Sequence, residues 1–334
     1  MTTSQAANAL KIADGRFVVT GGAGFIGSHL VDALLARGAA RVAVVDSFFL
    51  GKDENLEAAV AKYGDRLHVY RDDASDLLLM GAVLDAEKPN AIFNMATKAL
   101  AYSFFNPAGA LNVNVNLALT CLELLRKGAY GRLIHVSSSE VYGSAQTVSM
   151  DEGHPLLAET TYAAGKAAAD LAVRSYVRMF GCEAMIVRPF NNYGLRQNTE
   201  TYGAVIPLTV RRILSGERPI IEGTGEQTRD FIYVLDTVDA ILRLATSNVA
   251  KGEEVNVGSG HETSIGGLIE TICKVMDYKG TIDRRPERSA DVRRHCANVQ
   301  KAEALIGKCE KTPLEQGLND TIAWYRGRFE AKKQ

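Results

Sequence analysis

The sequence lacks the features that would tie it to a membrane, a nucleic acid or an oxidising compartment. No stretch approaches eighteen continuous apolar residues, so no membrane-spanning helix is expected. The five cysteines (Cys121, Cys182, Cys273, Cys296, Cys309) are scattered, odd in number and form no CxxC pair. That argues for reduced thiols, no structural metal and a cytoplasmic address. A formal net charge of −1 gives no bulk attraction to nucleic acid or to a membrane surface. Any anionic ligand must therefore be held by local arginines. Residues 1–14 carry neither an apolar run nor a cleavage pattern, and they read as a loose tail without a signal peptide. No internal repeat or low-complexity segment is present. The composition that remains, 46% hydrophobic and 23% charged over 334 residues, is that of a globular protein with core enough for one large domain or two.

The chain is organised around residues 18–30, VVTGGAGFIGSHL. An apolar run (Phe17, Val18, Val19) leads into Gly21, Gly24 and Gly27, and Ile26, Leu30 and Leu34 follow at helical spacing. Buried strand, glycine turn and helix in that order make a dinucleotide-binding βα unit. The glycines, with Phe25 and Ile26 opening the helix, let backbone approach a pyrophosphate, and the helix start offers free N–H groups. A second apolar strand, 41–46, ends in Asp46, nineteen residues after Gly27. A carboxylate there accepts hydrogen bonds from ribose hydroxyls and repels a 2′-phosphate, which points to NAD(H) rather than NADP(H).

From residue 15 onward, β-rich runs (16–20, 41–46, 67–70, 91–94, 131–136, 184–189) alternate with helical patterns (27–37, 76–87, 108–127, 160–180). The alternation predicts an α/β fold, a doubly wound parallel sheet with helices on both faces and ligands beyond the strand ends. Asp73 and Ala74, after the third strand, are placed to meet an adenine, while the neighbouring acids cap the next helix. Small residues around Ala96, after the fourth strand, allow close passage of the cofactor, and Lys98 could reach a substrate anion or solvent. After the fifth strand comes SSSEVYG, with Ser138, Ser139 and Glu140. Tyr162 and Lys166 then share one helix face at i, i+4 spacing. Past residue 190, glycine and proline become frequent and the alternation breaks up. Residues 190–229 and about 259–330 read as a smaller α/β lobe, while 15–189 and about 230–258 form the cofactor domain.

Together TGGAGFIG, Asp46, SSSEVYG, YAAGK, RPFNNYG and GEQTRDFIYV resemble the extended short-chain dehydrogenase/reductases, over residues 16 to about 328. Within them the chain is similar to the NAD-dependent nucleotide-sugar epimerases and dehydratases. The resemblance implies a Rossmann-type domain binding NAD and a smaller lobe binding a nucleoside-diphosphate sugar. It assigns Tyr162 as the phenolate base at a sugar hydroxyl, with Ser138 bridging, Lys166 and the positive nicotinamide ring lowering the tyrosine's pKa, and Lys166 holding the nicotinamide ribose. Glu140 matches the acid that removes the C5 proton in 4,6-dehydratases. The aspartate that commonly precedes it is Ser139 here, as in dehydratases of the GDP-mannose and UDP-N-acetylglucosamine types. UDP-glucuronate decarboxylases have a similar pattern, and a 4-epimerase needs no acid there.

The resemblance further implies that Asn191, Arg229, Arg285, Asp291 and Arg293 contact the nucleotide sugar, with three extra residues disturbing the register between Arg285 and Asp291. It also implies a homodimer with helices 108–127 and 160–180 in a four-helix interface. The expected activity is an NDP-hexose 4,6-dehydratase, with a 4-epimerase or a uronate decarboxylase as alternatives. A non-catalytic NAD-sensing or scaffold protein on the same fold is the reading of another class. The intact Ser138, Tyr162 and Lys166 set speaks against it.

Overall fold

The computed structural model describes residues 10–200, 203–248, 251–287 and 292–331. Six strands follow the sequence reading closely: β1 (Arg16–Thr20), β2 (Arg41–Val45), β3 (Leu67–Tyr70), β4 (Ala91–Asn94), β5 (Arg132–Val136) and β6 (Ala184–Pro189). With Glu254–Val257 they form one seven-stranded sheet in the order Glu254–Val257, β6, β5, β4, β1, β2, β3. Every neighbouring pair is parallel. The strand order reverses between β1 and β4, and a ligand crevice opens at such a switch point.

Alternation along β1 sends Phe17 and Val19 to one face and Val18 to the other. The first face packs on α1 (Phe25–Ala36) through Leu30 and Leu34, with the short α2 (Glu57–Tyr63) beside it. The second face is covered by α3 (Leu77–Glu87), α4 (Pro107–Arg126) and α5 (Thr161–Phe180), through Met80, Leu122 and Val173. Local chemistry fixes where these helices start. Asp76 accepts from the Leu78 and Leu79 amides, Asn106 caps α4 ahead of Pro107, and Thr160 caps α5. Gly181 ends α5 in the left-handed conformation. Helix α4 is long and apolar enough by composition to cross a membrane, but half of it is buried, and it packs against α5 and the sheet.

Beyond residue 190 lie α6 (Val205–Leu214), α7 (Val234–Thr246), α8 (Ile265–Val275), α9 (Gln300–Ile306) and α10 (Leu314–Ala331). Helix α7 packs on α1, and Glu254–Val257 pairs with β6. Helices α6, α8 and α10 pack on one another around a separate core of Ile206, Val210, Leu268, Ile272, Leu318 and Ile322.

A polar chain crosses the buried sheet. Thr20 donates to Asn94, whose amide donates to His135 Nδ1; His135 Nε2 faces Asp170 at 3.7 Å. Asp170 accepts from Arg188 Nε at 2.8 Å, and Arg188 also meets Tyr142 and Glu254. Burial opposes the Arg188 charge, but Asp170, Tyr142 and Glu254 outweigh it and leave its pKa raised.

Candidate active site

The turn after β1 is shaped by what lies against it. Gly21 has φ +68°, and a Cβ there would sit 2.8 Å from the Ala96 backbone. A Cβ on Gly27 would lie 2.2 Å from the Gly21 carbonyl oxygen. Gly24 caps α1 without any side-chain hydrogen bond, and the first turn holds no acidic residue. The orphan N–H groups and the positive helix end therefore face the crevice uncompensated, as an anion site requires.

Asp46, at the end of β2, is 8% exposed and accepts from the Ala23 amide on one oxygen and the Phe48 amide on the other. Burial raises its pKa, and these two hydrogen bonds work against that rise. Each carboxylate oxygen keeps acceptor capacity for a ribose hydroxyl. Asp73 accepts from the amide and hydroxyl of Ser75, while the neighbouring Asp76 caps α3. Lys98 places its ammonium 3.4 Å from the Phe49 ring centroid. Burial lowers its pKa, and Asp73 and Asp46 oppose that. Lys98 thus stands with the acids of the cofactor end.

Tyr162 and Lys166, one turn apart on α5, both line the crevice. The Ser138 and Thr97 hydroxyls lie near enough to Tyr162 to lower its pKa. Lys166 Nζ donates to the Val136 carbonyl at 3.0 Å. Burial pushes Lys166 down to about 8, against the favourable charge of Asp170 four residues on. Burial pushes Tyr162 up to about 12, and the lowering by Ser138 and Thr97 does not offset it. Desolvation of the phenol outweighs the protein groups that lower its pKa; the expected lowering drew on the positive nicotinamide ring as well as on Lys166. Asn114 of α4 holds the loop that carries Thr97, accepting from the Thr97 hydroxyl at 2.7 Å and the Lys98 amide at 3.1 Å.

Ser138 caps a short turn, its hydroxyl accepting from the Glu140 amide at 3.2 Å. Glu140 lies close enough to Tyr162 for its charge to raise the tyrosine pKa, and its Oε1 is 3.9 Å from His295 Nδ1. Asn191 keeps a buried amide nitrogen without a hydrogen-bond partner among the described residues, a donor that a ligand oxygen would satisfy. Arg229 is buried and near His295.

None of Ser138, Ser139, Glu140, Asn191, Arg229, Arg285 and Arg293 is among the residues that line the crevice holding Tyr162 and Lys166. Ser139 is 2% exposed, buried in the turn that Ser138 opens. Arg285 ends a strand (Asp283–Arg285) paired with Ile220–Glu222 and is exposed, away from the crevice. Arg293 is also exposed; its amide donates to Ser144 and its carbonyl accepts from Thr228. Asp291 lies outside the described residues.

The crevice is a cavity of about 590 Å³, within the range of small-molecule and cofactor sites. Its wall runs from Asp46, Asp73 and Ala74 past Gly21, Gly24, Phe25, Ile26, Gly27 and Ala96 to Tyr162 and Lys166. An acid pair at one end, a phosphate-binding turn in the middle and a tyrosine–lysine pair at the other suit an extended dinucleotide. Thr97, Asn114, Asp170 and His295 went unread in sequence. Each acts through a partner distant in the chain, and only the Lys166-to-Asp170 spacing gave any local signal.

A family model for GDP-mannose 4,6-dehydratase matches residues 18–321. The chain is 33% identical to UDP-glucuronic acid decarboxylase 1 of Xenopus tropicalis, over 94% of this chain and 73% of that one. It is 31% identical to a UDP-glucose 4-epimerase of Mycolicibacterium smegmatis, over 94% and 99%. Among solved structures, a dTDP-glucose 4,6-dehydratase of Streptomyces venezuelae with NAD bound superposes with a TM-score of 0.89 at 31% identity, covering 95% of this chain and 98% of that one. The names of these three proteins carry three different reactions. The chain belongs to the GDP-mannose 4,6-dehydratase family, within the NAD-dependent nucleotide-sugar epimerases and dehydratases of the extended short-chain dehydrogenase/reductases.

Proposed function

We propose that the protein is an NAD-dependent NDP-hexose 4,6-dehydratase. The observation that carries this reading is the position of Glu140, a carboxylate on the Ser138 turn within electrostatic reach of Tyr162. NAD, held along Gly21, Gly24, Gly27, Asp46 and Lys166, would supply a hydride acceptor for sugar C4 and, after water has left, a hydride donor for C6. Tyr162 takes the C4 hydroxyl proton through Ser138, and Lys166 orients the nicotinamide ribose. Burial raises the Tyr162 pKa, and the positive nicotinamide ring beside it would favour the phenolate. Glu140 then removes the C5 proton, which the 4-keto group has made acidic, and water leaves from C5–C6.

A 4-epimerase would have no task for a carboxylate at this place, and a uronate decarboxylase would need a cation there for the sugar carboxylate. In this reading 15–189 with about 230–258 is the cofactor domain, and 190–229 with about 259–330 holds the nucleotide sugar through Asn191 and Arg229. Lys98 serves the cofactor end. The enzyme is read as a cytoplasmic homodimer, with α4 and α5 pairing across a two-fold axis and no nucleic-acid or membrane partner.

Glu140→Gln tests the assignment. It is expected to form reduced nicotinamide on the enzyme with substrate present, yet to release no dehydrated sugar. A Glu140→Gln enzyme that dehydrates at the wild-type rate would overturn the reading.

A further inference from the structure

His295 is a buried titratable group to which the chemistry above gives no task. It is fully buried, with its ring 5.8 Å from that of Phe190, edge to face. Its Nε2 lies 2.9 Å from the Gly143 carbonyl oxygen. A carbonyl only accepts, so Nε2 carries the hydrogen and Nδ1 presents a lone pair. That Nδ1 is buried, has no hydrogen-bond partner among the described residues, and faces Glu140 Oε1 at 3.9 Å.

The other charged groups near the ring do not take Nδ1. Arg229, Asp230 and Glu159 all act on His295 through space. Asp230 is committed to the Ser259 amide and hydroxyl and the amides of Gly260 and Ala297. Glu159 accepts from the Ser144 amide, and Arg229 donates to the Thr228 carbonyl. Burial, aided by Arg229, holds the imidazole near a pKa of about 4, so at neutral pH it is uncharged and the Glu140 contact is not an ion pair. A carboxylate gains little opposite a bare lone pair, whereas a protonated carboxyl donates to it directly. Closing 3.9 Å to hydrogen-bond distance takes about 1 Å of movement by the Glu140 side chain.

We propose that His295 is a positioning residue for Glu140, its Nδ1 accepting the hydrogen bond of the Glu140 carboxyl while that group holds the proton taken from the sugar. The proposal rests on the dehydratase reading of Glu140. As the C5–H bond breaks, its electron pair stays with the sugar as the enolate of the 4-ketone and the proton goes to Glu140. His295 orients that O–H, and the proton then leaves on the departing C6 hydroxyl as water. The imidazole is never itself charged in this cycle.

Two substitutions separate this role from a purely structural one. Gln at 295 can reproduce the Nε2 donor to Gly143 but leaves no acceptor at the Nδ1 position. Asn can place an amide oxygen near Nδ1 and loses the Gly143 contact. The enzymes are incubated in deuterium oxide with dTDP-glucose, UDP-glucose, GDP-mannose and UDP-N-acetylglucosamine. Deuterium entry at C5, product formation and reduced nicotinamide on the enzyme are read on whichever is turned over, beside the melting temperature.

His295→Gln is expected to slow C5 exchange and dehydration about tenfold or more, with C4 oxidation within about twofold of wild type. His295→Asn is expected to keep C5 exchange within about threefold. The reverse order, or His295→Gln exchanging at the wild-type rate while Glu140→Gln is slow, would overturn the role of His295 alone. If Glu140→Gln itself exchanges and dehydrates normally, the dehydratase reading has failed and the inference falls with it. Should His295→Gln melt far below wild type, the ratio of C5 exchange to C4 oxidation in the folded fraction still decides: an unchanged ratio refutes the role.

Discussion

Replacing Gly27 with alanine is expected to weaken cofactor binding more than it disturbs the rest of the fold. The added Cβ would lie 2.2 Å from the Gly21 carbonyl oxygen and 3.0 Å from Gly21 C and Gly22 Cα. All three are backbone atoms, so no side chain can rotate away. Ordinary contact begins at 3.4 Å, so turn and helix must separate by roughly 1 Å. The turn cannot retreat toward β4, because Gly21 already lies against the Ala96 backbone. Overpacking of this kind costs about 1–3 kcal/mol. If the whole of that falls on the phosphate-binding turn, NAD affinity drops about ten- to hundredfold, since ~1.4 kcal/mol is a factor of ten. Nicotinamide content of the purified protein and calorimetric titration with NAD read the effect. Gly327→Ala is the control: it is exposed on α10 with nothing within 4 Å of its would-be Cβ, and should stabilise the helix by about 0.5–1 kcal/mol. A Gly27→Ala protein with wild-type NAD affinity would refute the role given to the turn.

Tyr162→Phe should retain NAD and fold normally while losing about 10²- to 10⁴-fold in turnover, measured as keto-sugar release. His29 and His295 are both held at about 4 against 6.5 for the free residue. The unfolded chain therefore binds more protons between those values, and stability should fall as pH drops from 6.5 toward 4, by up to about 3 kcal/mol for each histidine. Chemical denaturation at pH 7 and pH 5 checks it, and equal midpoints would contradict it. Arg188→Met removes the partner of Asp170 and Glu254 in the sheet core and should cost about 3–5 kcal/mol, read from the urea midpoint. Size-exclusion elution as a monomer at micromolar protein would contradict the proposed dimer through α4 and α5; Leu171, Met179 and Phe180 of α5 are exposed.

The parts of the molecule written in local sequence were legible. The sheet strands, α1, α3, α4 and α5 follow from apolar periodicity, and their ends from Asp76, Asn106, Thr160 and Gly181, each of which caps by its own chemistry. The phosphate-binding turn is a contiguous motif, and so are Tyr162 and Lys166. What was not legible depends on groups far apart in the chain. Arg285 carries a family motif in sequence, yet its strand pairs with Ile220–Glu222 and leaves the side chain in solvent. Ser139 belongs to a run of three serines, and only the turn geometry decides which hydroxyl faces inward. His295 gains its meaning from Gly143 and Glu140, more than 150 residues earlier, and no spacing rule connects them. The same holds for the tyrosine: the pattern gives the Tyr–Lys pair, while burial sets the pKa.

The measurement that bears most directly on the reaction is mass spectrometry of the purified protein incubated with dTDP-, UDP-, GDP- and CDP-hexoses and with UDP-glucuronate. Loss of water from one of the hexoses, giving a keto sugar with no net change in NAD, is the expected result and also names the base. Loss of carbon dioxide from UDP-glucuronate, or a new isomer of unchanged mass, would contradict dehydration and return Glu140 to another role.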